Sequence, residues 1–162
     1  MGDPHYTTTI PSPVGDLTLV ASTSGLRAVL WPDDDKRVRL PCSLLEQPDH
    51  PVLAACRDQL DGYFDRTRTA FDLPLDLRGT EFQRTAWKAL ADIPYGSTIT
   101  YGEQANRIGR PQAVRAVGTA NGRNPVSIVL PCHRVVGSNG SLTGFAGGLD
   151  TKAWLLAHEK AV

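Results

Sequence analysis

The sequence predicts an α+β protein, with a small N-terminal antiparallel sheet and helix followed by a mostly helical C-terminal lobe carrying a helix-turn-helix of winged-helix type. Three observations predict it. Residues 6–31 break into three β-rich runs separated by turn clusters. Residues 80–122 place apolar side chains at helical spacing between capping signals. The pattern changes near residue 78, which divides the chain into a scaffold of residues 1–77 and a second domain of residues 78–162.

The three runs are residues 6–10, 17–21 and 26–31, and the Pro- and Gly-containing stretches 11–15 and 22–25 between them make a meander. The acidic, proline-bounded segment 32–47 has no sustained period and reads as a surface loop. Pro51 suits the first position of a helix whose apolar stripe is Leu53, Cys56, Leu60, Tyr63 and Phe64. Residues 71–77 alternate apolar and polar, as a last strand or an extended connection would.

From Arg78 on, the punctuation is helical. Thr80 with Gln83 forms a capping box ahead of Phe82, Ala86, Trp87, Leu90 and Ile93, and Pro94-Tyr95-Gly96 ends that helix. Thr100 with Glu103 forms a second box, opening a short helix from Tyr101 that Gly109 stops. Pro111 starts a third helix over residues 111–121, closed by Gly122. Two short helices joined through residues 108–110 make a helix-turn-helix, whose second helix docks on DNA in proteins that use the motif that way. Ala113, Ala116, Gly118 and Ala120 give this helix a slim profile, and Arg110, Arg115 and Arg123 supply charge for phosphates. The same alanines would also suit a helix packed closely on a neighbour. Asp150 is placed to cap a last helix carrying Trp154, Leu155, His158 and Glu159. The glycine-rich stretch 143–148 lacks the GxxxxGK[ST] pattern of a nucleotide-phosphate loop.

At 162 residues and 41% hydrophobic composition the chain can bury a core. No apolar run reaches the ~18 residues of a membrane span, and the N-terminus lacks a secretion signal, so the expected location is the cytoplasm. The net charge is zero, but residues 1–77 hold 7 Lys+Arg against 12 Asp+Glu while residues 78–162 hold 10 against 5. That asymmetry suits either a C-terminal half that meets a polyanion or two halves that attract each other. Cys42, Cys56 and Cys132 form no CxxC pair, and with His5 and His50 they lack the paired spacing of a zinc site, so neither a disulfide framework nor a metal is expected. Cys56, on the apolar stripe, reads as a small buried hydrophobe.

Residues 124–136 carry the chemistry. A β-branched, strand-like run delivers Cys132 behind Pro131 and directly before His133. An unassisted thiol titrates at about 8.5, so a nucleophilic cysteine needs a base or a positive field. His133 is the nearest base, yet neighbours on an extended chain point to opposite sides, so a bridging water links them better than direct contact unless the backbone turns. A third group should orient the histidine, and Glu159 is one candidate. An inert buried Cys132 beside a surface histidine is the competing reading.

Pro131-Cys132-His133-Arg134-Val135 resembles the PCHR(V) signature of the O6-alkylguanine-DNA alkyltransferases, the methylated-DNA–protein-cysteine methyltransferases. Tyr101-Gly102, Arg115-Ala116-Val117-Gly118, Asn124-Pro125, Thr143-Gly144 and the run 155–159 also fall where that family has its motifs. The resemblance is strong over residues 80–160, and the first half matches in size and strand pattern. It implies direct-reversal repair of double-stranded DNA containing alkylated guanine, with O4-alkylthymine as a further substrate. The alkyl group passes once to Cys132, with no cofactor, no metal and no obligate protein partner, in a monomer. His133 would deprotonate Cys132 through a water, Glu159 would orient His133, and Asn124 would tie the turn before the site. The target base must leave the duplex stack. Arg115 would fill its place, and Tyr101 would crowd the phosphate and serve guanine N3. The carbonyls of Cys132 and Val135 would accept from the exocyclic amine, the Ala146 amide would face O6, and Phe145 would wall the pocket where relatives carry tyrosine. Arg110, Ala113, Gly118 and Ser138 complete the implied DNA- and base-binding set. Two other readings stand beside this one: a DNA-binding regulator or lesion sensor with a merely structural Cys132, and a cysteine hydrolase.

Overall fold

The computed structural model describes residues 3–32, 34 and 37–160 of the chain. Met1 and Gly2 of the N-terminus, residues 33, 35 and 36 of the expected loop, and residues 161 and 162 lie outside the described residues. The chain forms two compact units, residues 1–78 and 79–162.

In the first unit β1 (His5–Ile10), β2 (Leu17–Ser22) and β3 (Leu26–Leu30) make the expected antiparallel meander, with a register shift at Val20/Ala21. The expected loop contains one more strand, β4 (Leu45–Glu46), which pairs in parallel with β1 through Tyr6↔Leu45 and Thr7↔Glu46. The sheet is therefore mixed, with order β3-β2-β1-β4. Two residues are too few to show a period of two, so pairing with β1 creates this strand. Helix α1 (Pro51–Phe64) starts at Pro51, with His50 Nδ1 accepting from the Val52 amide. It lays Leu53, Cys56, Leu60 and Tyr63 on the sheet, all fully buried. Burial pushes the Cys56 thiol up to about 12, which makes it unreactive packing. Of residues 71–77 only Leu75 bridges a strand, to Leu26, so this segment is a connection.

The second unit is built on α2 (Glu81–Leu90), α3 (Tyr101–Arg107), α4 (Val114–Gly122) and α5 (Leu149–Lys160). Both expected capping boxes form: Thr80 with Gln83 opens α2 and Thr100 with Glu103 opens α3, each through reciprocal bonds of 2.9–3.1 Å. Gly109, at φ +74°, ends α3 in the left-handed region that a side chain would disfavour. α4 begins at Val114 rather than at Pro111, because residues 110–113 form a turn closed by the Ala113 amide on the Arg110 carbonyl. Gly122 is its last residue rather than the one beyond its end. α5 likewise begins at Leu149, so Asp150 sits in its first turn, where its charge meets the helix dipole instead of capping.

The run expected to be a strand before Cys132 is not one. Asn124 bends it: its Nδ2 donates to the Leu130 carbonyl at 2.8 Å and its Oδ1 accepts from the Val126 amide at 3.1 Å. Ile128, buried within this loop, has φ +73°, a strained conformation for a β-branched residue. Cys132–Arg134 then form a single 3-10 turn, and β6 (Val135–Val136) pairs in parallel with β5 (Ile99–Thr100). This pairing holds the segment after Cys132 against the start of α3, where Tyr101 stands.

Candidate active site

Cys132 and His133 lie in a 3-10 turn, where neighbouring side chains point about 120° apart rather than to opposite sides as on an extended chain. Cys132 is 6% exposed and makes no disulfide, and His133 is fully buried. Glu159 comes from the buried face of α5, which also carries Lys152, Leu155 and His158. Its Oε2 accepts from His133 Nε2 at 2.5 Å. Arg134 clamps the same carboxylate through Nε at 2.8 Å to Oε1 and Nη2 at 3.1 Å to Oε2, while its Nη1 donates to the Ile93 carbonyl. The Gly96 amide, donating to Oε1 at 3.1 Å, adds the fourth bond to the carboxylate.

These contacts set the charges. Burial by itself would raise the Glu159 carboxyl, but the bonds from His133 and Arg134 outweigh it and hold the group down at about 2. Burial is also the largest influence on His133 and lowers it below 6.5, with Arg134 and Lys152 adding to the lowering against the pull of Glu159. A neutral imidazole facing an anionic carboxylate carries its proton on Nε2. Nδ1 therefore holds the lone pair, and it has no protein partner.

Lys152 is the residue the sequence did not single out. It is fully buried, and its ammonium donates to the Val135 carbonyl at 2.7 Å and to the Thr143 carbonyl at 2.9 Å. It also lies 5.8 Å from the centre of the Tyr101 ring. Burial lowers its pKa, and the electrostatic influence of Cys132 opposes that lowering. A lysine in the first turn of a helix reads as solvated. Only its position one turn before Leu155 and two before Glu159 hinted that it faces inward.

A concavity of about 590 Å³ is lined by Tyr101, Arg115, Gly118, Thr119, Phe145 and Ala146 among others, with Cys132 and His133 outside its lining. Tyr101 and Thr143 form its polar edge, the Thr143 hydroxyl donating to the Tyr101 oxygen at 3.1 Å. A Cβ on Gly118 would meet the Tyr101 ring at ordinary contact distance, so glycine there widens the concavity more than it relieves a clash. Lys152 links this wall to the segment that follows Cys132.

Of the residues singled out from sequence, His133 and Glu159 bond directly, while Cys132 and Asn124 are buried and share a partner, the Leu130 carbonyl, which accepts from the Cys132 amide and from Asn124 Nδ2; Val135 follows the turn. Tyr101, Arg115, Gly118, Phe145 and Ala146 gather around the concavity. Ala113 and Arg110 lie apart, along a second hollow of about 440 Å³ on residues 109–113, with the Arg110 guanidinium 6.0 Å from the Phe82 ring centre. Ser138 is exposed in the turn over residues 137–140 and lines neither hollow. Among the described residues no three His, Cys, Asp or Glu side chains are grouped to hold a metal ion, and no helix is long and apolar enough to cross a membrane.

Fold and centre together define an α+β protein that carries a buried cysteine, histidine and glutamate in the same unit as a helix-turn-helix. Residues 5–77 match the ribonuclease-like domain of 6-O-methylguanine DNA methyltransferase and residues 81–161 match its DNA-binding domain. The chain belongs to this family. The methylated-DNA–protein-cysteine methyltransferase of Mycobacterium tuberculosis is 48% identical over 97% of this chain and 93% of its own, and that of Methanosarcina mazei is 45% identical over 93% and 94%. The crystal structure of Mycobacterium tuberculosis OGT in complex with DNA superposes with a TM-score of 0.88 at 46% identity, covering 96% of this chain and 93% of that one.

Proposed function

We propose that the protein repairs O6-alkylguanine in double-stranded DNA by moving the alkyl group to Cys132 in a single turnover, acting as a monomer in the cytoplasm. The observation that carries the chemistry is His133, whose bond to an anionic Glu159 leaves the Nδ1 lone pair as a base one residue from the thiol. Through one bridging water, Nδ1 takes the Cys132 proton, and the thiolate attacks the alkyl carbon. A carbon–sulfur bond forms as the carbon–O6 bond breaks, and its electron pair stays on guanine, which takes up a proton. The thioether is stable, so the protein is consumed.

The family resemblance assigns the roles of the remaining residues, and the concavity supports those of Tyr101, Arg115, Gly118, Phe145 and Ala146. Asn124 fixes the bend that delivers Cys132. Arg115, exposed on α4, enters the stack as the base turns out, while Tyr101 crowds the phosphate and donates toward guanine N3. The concavity receives the base, with Phe145 as its apolar wall, the Ala146 amide toward O6 and Gly118 leaving room. The Val135 carbonyl has one lone pair on Lys152 and a second for the exocyclic amine, which the Cys132 carbonyl also receives. Arg110 and Ser138 contact phosphates, and Ala113, before the first turn of α4, lets the backbone approach the minor groove. O4-alkylthymine is the second substrate. Residues 1–77 serve as scaffold. The names of the relatives lend the lesion-sensor reading no support.

Incubation with a duplex carrying O6-methylguanine tests the proposal. Each protein molecule should remove one methyl group, and Cys132 should gain its mass. An unmodified Cys132 after complete incubation would overturn it.

A further inference from the structure

α4 has few local devices of its own and packs on α2 and α3 through small side chains. Its N-cap, Ala113, makes no side-chain bond, no acidic residue lies in its first turn, no basic residue lies in its last, and two of its nine residues are glycine. Its buried apolar side chains are Val117 and Ala120. Small residues make shallow ridges, and shallow ridges define the rotation of a helix weakly.

A polar device sits among these small side chains. Asn121 of α4 and Gln104 of α3, both buried, exchange reciprocal amide bonds: Asn121 Nδ2 donates to Gln104 Oε1 at 2.7 Å and Gln104 Nε2 donates to Asn121 Oδ1 at 3.0 Å. Gln104 Nε2 also donates to the Ala86 carbonyl of α2 at 3.1 Å, and Trp87 of α2 donates its indole N–H to the Ala120 carbonyl at 2.7 Å. One side of α4 is thus bonded to two other helices. At about 100° per residue, Val117, Ala120 and Asn121 fall within roughly 100° of one another, on the side opposite Arg115. The tip of an extended arginine lies roughly 8 Å from its helix axis, so a turn of α4 by about 10° would sweep Arg115 by more than 1 Å.

We propose that the Gln104–Asn121 amide pair is a positioning device that fixes the rotation of α4 and so aims Arg115 at the stack. This rests on the repair reading above. Directional bonds select one rotation where apolar contacts would accept several, as a buried polar pair can fix register between helices at little gain in stability. The pair does not touch Cys132 and has no part in the transfer step.

The test compares two single-turnover rates in the same preparation: repair of O6-methylguanine in a duplex, and alkylation of Cys132 by O6-benzylguanine as the free base. The variant is Gln104→Met with Asn121→Leu, which replaces both amides by apolar groups of similar shape and leaves neither one unpaired. The expected result is a fall of about tenfold or more in the ratio of duplex to free-base rate, as an error of about 1 Å in aim would produce. Both rates come from the same folded molecules, so their ratio is insensitive to partial loss of folded protein. If the double variant does not fold, Asn121→Ala carries the same ratio. An unchanged ratio, including one in which both rates fall together, overturns the proposal. A wild-type protein whose Cys132 stays unmodified with both substrates overturns the repair reading instead.

Discussion

The ammonium of Lys152 lies 2.7 Å from the carbonyl oxygen of Val135, three residues beyond Cys132, and 2.9 Å from that of Thr143 in the wall of the concavity. A buried cation here completes a charge balance. Glu159 is offset by Arg134, so Lys152 is left to face the charge that Cys132 acquires when it ionises. Lys152→Met keeps most of the stem and removes the charge. Alkylation of Cys132 by O6-benzylguanine should slow by about tenfold or more, because a thiolate in a partly desolvated site depends on neighbouring positive charge. An unaltered rate would assign Lys152 to packing alone.

The rate should depend on pH through His133. Its pKa is lowered below 6.5, so the neutral base persists at neutral pH and is lost only on acidification. The rate should be level from pH 8 to about 7 and fall below about 6.5, with a midpoint on the acid side of the ordinary histidine value. Single-turnover rates from pH 8 down to the acid limit of the folded protein check this, and a rate that rises on acidification would exclude His133 as the base.

Stability should follow the same direction. Both His133 and Glu159 have folded values below their ordinary ones, so the unfolded chain binds more protons on acidification. The His133 contribution is complete above about 6.5 and declines as the pH falls toward its lower folded value. The Glu159 contribution is complete above its ordinary value of 4.5 and is lost as the pH falls through about 2. Urea unfolding should give a midpoint that is constant near pH 7 to 8 and declines below, and Glu159→Gln should flatten the lower part of that decline.

Arg134→Met removes three donors from buried acceptors, two on Glu159 and one on Ile93. Breaking a buried ion pair from one side costs about 3–5 kcal/mol, and denaturant midpoints should report a loss of that size. The Glu159 carboxyl should also rise from about 2, because Arg134 is one of the groups holding it down.

Arg115 is exposed, so Arg115→Ala should leave stability within about 0.5 kcal/mol. Duplex repair should slow markedly while the free base, which needs no extrusion, reacts as before. Repair at the ordinary rate would remove Arg115 from base extrusion.

Much of the architecture was legible because its signals are local. The two capping boxes lie within three residues of sequence, the meander is punctuated by its own turns, and the stripe of α1 repeats every turn. Errors arose where bonds that leave no trace in the hydrophobic pattern decide. β4 exists through its pairing with β1, and α4 starts three residues late because residues 110–113 close a turn first. The β-branched run before Cys132 was misread as a strand because its pattern carries no sign of the Asn124 side chain, whose two backbone bonds bend it.

The sequence by itself determined the helix boundaries set by Thr80 and Thr100, the arginine of α4, and the single adjacent Cys-His pair, Cys132-His133. Tertiary structure alone decided that the backbone turns at Cys132, that Arg134 and Gly96 converge on Glu159, and that Lys152 is buried against carbonyls 9 and 17 residues away. The physical reason is range. Caps and periods act across one helical turn, whereas the proton on His133 and the charge on Glu159 follow from burial and from partners that only folding brings near.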